Sequence, residues 1–156
     1  MHFVSHLECA NCGVHYDAAT VQNLCRACQR PLWVRYDLEA LKKKFSKREL
    51  FGRPPTIWRY LELLPVFDPA NIVSLTETVT PILELNRIGS ELGVDRLYVK
   101  DESRLPTGSF KARGMAMAIS KAKELGIKKV AVPTAGNAGG AMSAYAARAE
   151  MEATVF

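Results

Sequence analysis

The stretch KKVAVPTAGNAGGA, residues 128–141, passes from strand to loop to helix, and its reading decides the fold. Residues 128–134 form an apolar run bounded by lysines and a proline, the pattern of a buried strand. Beyond it, Ala138, Ala141, Met142, Tyr145, Ala146 and Ala149 fall on one stripe of a helix over 137–149. The same order occurs upstream, where DRLYVK (95–100) reads as a strand, ESRLPTGSF (102–110) as a loop and residues 109–125 as a helix. That helix has Ser109 as its candidate N-cap and Ala112, Met115, Ile119 and Ala122 on one face. TPILELNRIGSELGV (80–94) supplies an earlier helix stopped by Gly93, and ATVF (153–156) opens another strand. Strands alternating with helices predict βαβ units, so the fold class is α/β: a mainly parallel sheet in three layers, helices covering both faces. The sequence stops on apolar Val155 and Phe156 in mid-strand, so the 156 residues are expected to be the truncated front part of a longer protein, incomplete as a catalyst.

The N-terminal residues follow a different logic. Cys9, Cys12, Cys25 and Cys28 form two C-x-x-C knuckles with twelve residues between them. Each knuckle offers two thiolates from one tight turn, and four thiolates suit tetrahedral zinc. CANCGVHYD (9–17) and CRACQRPLWVRYD (25–37) both end in Tyr-Asp, so two similar hairpins should face each other across one metal as a zinc ribbon. The alternatives are two disulfides or a redox pair, which would need an oxidising compartment or a βαβ setting around the cysteines. His15 could replace one sulfur but reads as an exposed loop residue. Three regions result: a zinc ribbon over 1–36, a helical linker over 37–65, and an α/β domain over 66–156. In the linker, residues 37–50 read as a basic helix with Asp37 as N-cap, stopped by Gly52, Pro54 and Pro55. TIWRYLELLPV (56–66) reads as a second helix ending at Pro65, its Trp58, Leu61 and Leu64 packed into the core.

With 48% hydrophobic residues, the chain can bury one core beside a smaller module. Its longest apolar runs are far too short to span a bilayer, and MHFVSHLECANCG lacks the order of a secretory signal. A cytoplasmic protein without a membrane partner is expected. The net charge of +5 is concentrated in LKKKFSKRE (41–49), a pattern more often a solvated helix face than a nucleic-acid site.

Both strand-to-helix loops should lie at the carboxyl edge of the sheet, where ligands of α/β proteins bind. Thr134, Ala135, Gly136, Asn137 and Ala138 would expose backbone N–H groups at a helix start, a setting for phosphate or carboxylate. On its residues alone this loop is equally a closely packed helix cap. The other loop places Lys111 in a first helical turn, where the macrodipole disfavours a cation. The same field favours the neutral amine, the nucleophile of Schiff-base chemistry, and Arg113 nearby should lower the lysine pKa further. By itself a residue of this kind is most often an exposed helical lysine.

KDESRLPTGSFKARG (100–114) followed by PTAGNAGGA (133–141) resembles the fold-type II enzymes that use pyridoxal phosphate. Within them, WRYLELLPV (58–66) and the cysteine knuckles resemble the threonine synthases. The resemblance implies that Lys111 joins the cofactor as a Schiff base and shuttles protons, and that Asn137 bonds the cofactor's phenolic oxygen. Residues Thr134 to Ala138 would hold the substrate carboxylate. It implies conversion of O-phosphohomoserine and water to threonine and phosphate, through proton removal, phosphate elimination and water addition. It leaves a homodimer open for the full-length protein. Another dehydrating or β-replacing enzyme of this fold type, or a non-catalytic zinc-ribbon binding module, are the alternatives. The family's Gly-Glu-Gly-x-Thr-Pro stretch reads TETVTP here (76–81), so a positive-φ turn or a close ligand approach at Thr76 or Thr78 is expected to be lost.

Overall fold

Alternation along residues 4–9 builds the first strand of the computed structural model, which describes residues 2–134 and 136–156. Strands β1 (Val4–Cys9), β2 (His15–Tyr16) and β3 (Leu32–Tyr36) form an antiparallel sheet in the order β2-β1-β3. Leu7 and Val34 are cross-strand partners, and with Ala18 they line a crevice whose far wall is Pro65, Met117 and Leu125. The small sheet thus packs by its apolar side on a helix of the larger unit.

Asp37 caps helix α1 (Leu38–Lys44) by accepting a 2.8 Å hydrogen bond from the Ala40 N–H. The expected helix over 37–50 stops early: Phe45 is extended, and only a 3-10 turn, Lys47–Leu50, follows. Five cations within residues 42–48 would crowd successive turns of one continuous helix, which favours the break. Residues Ile57–Leu63 are likewise 3-10 rather than α, with a kink at Tyr60.

Three further departures concern the expected sheet. Ile82–Glu84, read as helix, is strand β4, pairing antiparallel with β5 (Tyr98–Lys100). Helix α2 (Asn86–Leu92) therefore starts late, and it ends as expected on left-handed Gly93. The only parallel pair among the described residues is β6 (Lys129–Val132) with β7 (Glu152–Val155). β6 alternates exposed and half-buried residues, so it is not the buried strand its apolar run predicted. The architecture is mixed α/β with small separate sheets, in place of one mainly parallel three-layer sheet.

The core lies between helices α3 (Lys111–Glu124) and α4 (Asn137–Arg148). Ala112, Ala116, Ile119 and Ala122 meet Met142, Tyr145 and Ala146, with Val73, Leu105 and Met151 closing the cluster. Alanines at the contact let the backbones approach closely. Burying this face follows from the periodicity of both segments, at roughly 25 cal/mol per Å² of apolar area. Ser120, fully buried on α3, accepts from the Val73 N–H (2.8 Å) and donates to the Ala116 carbonyl (2.6 Å). Glu124 accepts from the Phe67 and Asp68 N–H groups, both at 2.7 Å. These two side chains fasten segment 67–73 along α3.

Candidate functional site

Lys111 is the first residue of α3, and Asn137 is the first residue of α4. α4 also packs against the 106–108 turn that leads into α3. In that turn Thr107 and Gly108 both have positive φ, 68° and 69°. Ser109 is not the N-cap; Phe110 occupies that place and contributes no side-chain cap. Ser109 is instead buried, and its Oγ has no hydrogen-bond partner among the described residues.

The Lys111 ammonium lies 4.7 Å from the centre of the Phe110 ring and has no ion-pair partner among the described residues. The neighbouring lysines are all committed. Lys100 approaches Glu102 (3.9 Å) and the Thr80 carbonyl (3.4 Å), Lys121 pairs with Glu124 (2.6 Å), and Lys123 donates to the Ala70 carbonyl (3.3 Å). Arg113, expected to act on Lys111, is bound to Glu102 through Nε (2.7 Å) and Nη2 (3.0 Å). It also donates to the Thr78 carbonyl at 3.3 Å. The Arg113 guanidinium, helped by the Thr80 hydroxyl at 2.5 Å, holds the Glu102 carboxyl down to about 2. Arg113 thus ties α3 to the 76–81 loop.

That loop keeps the turn expected to be lost. Thr76 has φ 65°, the left-handed conformation, with its N–H donating to Ser74 Oγ at 3.0 Å. Next to it, Glu77 is fully buried and accepts from Ser74 Oγ (2.7 Å), the Leu75 N–H (2.7 Å) and the Tyr145 hydroxyl of α4. Burial, then the adjacent Glu77, pushes the Tyr145 phenol up. A cavity beside this loop is lined by Ile57, Arg59, Tyr60, Val79, Lys100 and Arg113, a mixed apolar and basic wall whose Arg113 and Lys100 face Glu102. The polar frame around Glu77 was not legible in the sequence: Glu77 and Tyr145 are 68 positions apart, and no short motif joins them.

In the second loop, Gly136 takes φ 151°, which a side chain would strain, and its N–H donates to Thr134 Oγ1 at 3.1 Å. Gly136 is the N-cap of α4 and brings no side chain to cover the first-turn N–H groups. Asn137 is exposed and Ala138 half-buried; Ala135 lies outside the described residues. Gly139 has a packing reason, because a Cβ there would stand 2.6 Å from Thr134 Cγ2 and 2.8 Å from Val155 Cγ1.

The four cysteines converge as their spacing predicts. All are free thiols, and one Sγ from each lies within 4.8 Å of the others. Cys9–Cys28, Cys12–Cys28 and Cys12–Cys25 sulfurs are 3.4, 3.5 and 3.6 Å apart. Tetrahedral zinc with bonds of about 2.3 Å needs edges of about 3.8 Å, whereas a disulfide would need about 2.05 Å. The knuckles repeat each other in the backbone. Cys9 and Cys25 N–H groups donate to Val14 and Arg30 carbonyls, both at 2.9 Å, and Gly13 and Gln29 hold the same left-handed place in each turn. The Tyr16 hydroxyl, 3.1 Å from Cys25 Sγ, brings that thiol down to about 6.

The profile of the pyridoxal-phosphate dependent enzyme family matches residues 73–156, more than half of the chain. The chain belongs to this family. Lys111, Asn137 and the Glu77 network all lie inside the matched stretch of this pyridoxal-phosphate family member. Among curated proteins it is 43% identical to threonine synthase of Methanocaldococcus jannaschii over 141 residues, 90% of this chain and 35% of the relative. It is 38% identical to threonine synthase of Methanosarcina acetivorans over 150 residues, 96% of this chain and 36% of the relative. Threonine synthase of a Synechocystis species is 47% identical over 97 residues, 62% of this chain and 25% of the relative. The chain thus spans about a third of the two archaeal relatives. The Methanosarcina match leaves so few residues outside it that all four cysteines fall within it. No described helix is long and apolar enough to cross a membrane.

Proposed function

We propose that this chain carries the lysine-bearing part of a threonine synthase, which converts O-phosphohomoserine and water to threonine and phosphate in the cytoplasm. Residues 1–36 would be its zinc ribbon, 37–65 a linker and 66–156 part of the cofactor domain. The carrying observation is that Lys111, at the start of α3, is the one lysine of its neighbourhood whose amine has no polar partner among the described residues. No carboxylate among the described residues engages this amine, so it is sterically and electrostatically open to a carbonyl, which the neutral amine attacks. When bound, pyridoxal phosphate supplies an electron sink for charge developing on the substrate carbon.

In this reading Lys111 would hold the cofactor through Nζ and would carry protons to and from the substrate. Asn137 would hold the cofactor's phenolic oxygen through its carboxamide. The Thr134 to Ala138 loop would receive the substrate carboxylate at a helix start that no side chain caps. The N–H groups of Asn137 and Ala138 would do so, since those of Thr134 and Gly136 are engaged by the Phe156 carbonyl and Thr134 Oγ1. Arg113 and Glu102 tie the 76–81 loop to α3, the helix that carries Lys111.

Cys9, Cys12, Cys25 and Cys28 would bind one zinc, a reading supported by sulfur separations near those of a tetrahedral thiolate site and longer than a disulfide bond. Elemental analysis tests this: one zinc per chain is expected, lost in Cys25→Ser. Borohydride reduction followed by peptide mapping tests the lysine in an enzyme of the relatives' length that contains these residues. A pyridoxyl group on Lys111 supports the reading, and one on Lys100, Lys121 or Lys123 overturns it.

A further inference from the structure

A second group of metal-ligand side chains lies on the face of β1 opposite Cys9. His6 and Glu8 share that face by strand alternation, and pairing with β2 sets His15 directly opposite Glu8. Glu8 Oε2 is 3.7 Å from His6 Nε2 and 3.7 Å from His15 Nε2. One ligand atom from each of the three lies within 4.8 Å of the others, and the imidazoles stack with centroids 3.9 Å apart.

Ser5 Oγ lies 2.8 Å from His6 Nδ1 and 3.4 Å from the Arg35 carbonyl. In the tautomer with its proton on Nδ1, His6 donates to Ser5 Oγ and presents a lone pair at Nε2. That Nε2 is shut off from solvent and has no hydrogen-bond partner among the described residues, while it faces a carboxylate oxygen. Orientation of a ligating imidazole through its other nitrogen is the usual arrangement in metal sites.

We propose that His6, Glu8 and His15 form a second divalent-metal site, distinct from the four thiols, for a borderline transition ion such as zinc or cobalt. Two imidazole nitrogens and one carboxylate oxygen suit these ions better than magnesium or calcium, which take oxygen ligands. A tetrahedral site with bonds of about 2.1 Å needs donor separations of about 3.4 Å, close to those present. Arg35 Nε now sits 3.2 Å from Glu8 Oε2 and must give way to the ion. Its side chain is 48% exposed and already lies over the Trp33 ring, which offers it a resting place. The ion would pin the two-residue strand β2 to β1.

The test loads the 156-residue chain with one equivalent of zinc, which occupies the thiols, and then titrates cobalt. One further equivalent should bind, with weak visible bands and no sulfur-to-cobalt charge-transfer absorption. His6→Ala and His15→Ala should each lose the second equivalent and keep the zinc, which also shows that they fold. Arg35→Met should bind cobalt several-fold tighter, because a competing cation has been removed from Glu8. No second equivalent, a second equivalent that survives both histidine variants, or cobalt appearing only with charge-transfer bands would each overturn the proposal.

Discussion

Two adjacent glycines in α4 should respond to the same substitution with opposite signs. A methyl group at Gly139 would enter space held by Thr134 Cγ2 at 2.6 Å and Val155 Cγ1 at 2.8 Å, while one at Gly140 meets nothing within 4 Å. Both positions are helical, so Gly→Ala gains up to about 1 kcal/mol of helix propensity at each. At Gly139 the two β-branched neighbours have little rotamer freedom, and forcing a methylene into a packed contact costs about 1–3 kcal/mol. The net expectation is Gly140→Ala stabilised by about 0.5–1 kcal/mol, and Gly139→Ala destabilised by about 1–2 kcal/mol. For a chain of this size that corresponds to a Tm rise of about 2–3 °C against a fall of about 3–6 °C. Urea denaturation of the zinc-loaded chain, followed by helix circular dichroism, reads the difference at a common slope. Gly139→Ala at or above the parent's stability would refute the packing of α4 against β7 and the Thr134 loop.

Thr76→Gly should stabilise the chain by about 1 kcal/mol, because a β-branched residue in the left-handed conformation carries strain that glycine lacks; urea midpoints check it. Glu102 has its carboxyl lowered from an ordinary value near 4.5 to about 2 by Arg113, so the unfolded chain binds more protons between these values. Its stabilising contribution is complete above pH 4.5 and is lost as pH falls toward 2, and Glu102→Gln should flatten the acid limb of the stability–pH curve in that window. In an enzyme of the relatives' length, Lys111→Ala should abolish the cofactor imine's absorbance while zinc content is unchanged. Lys111→Arg should do no better, since a guanidinium stays protonated. Asn137→Ala should keep the imine with altered colour and slower turnover. Phosphate-release assays with O-phosphohomoserine should find no turnover by the 156-residue chain alone, which spans about a third of its archaeal relatives.

Short-range spacing made the knuckles and the two long helices legible. Each C-x-x-C turn brings its own two sulfurs together, pairing of β1 with β3 joins the two turns, and the stripes of α3 and α4 record which side is buried. The Asp37 cap and the Gly93 stop depend on hydrogen bonds and dihedrals within four residues, so they too were readable. Ser109 fits the same N-cap rule, yet the 106–108 turn and the core draw it inward and leave the cap to Phe110. Ile82–Glu84 looked helical until pairing with Tyr98–Lys100 decided otherwise, since strand pairing joins residues that no local window contains. The turn at Thr76 is the clearest case: its residue type argued against positive φ, and the fixed partners Ser74, Glu77 and Arg113 impose it. His6, Glu8 and His15 became one cluster only through the register of β1 with β2. The sequence determined which groups could bind a metal or join a carbonyl. Tertiary structure decided which were left without partners, because pairing and burial are properties of neighbours distant along the chain.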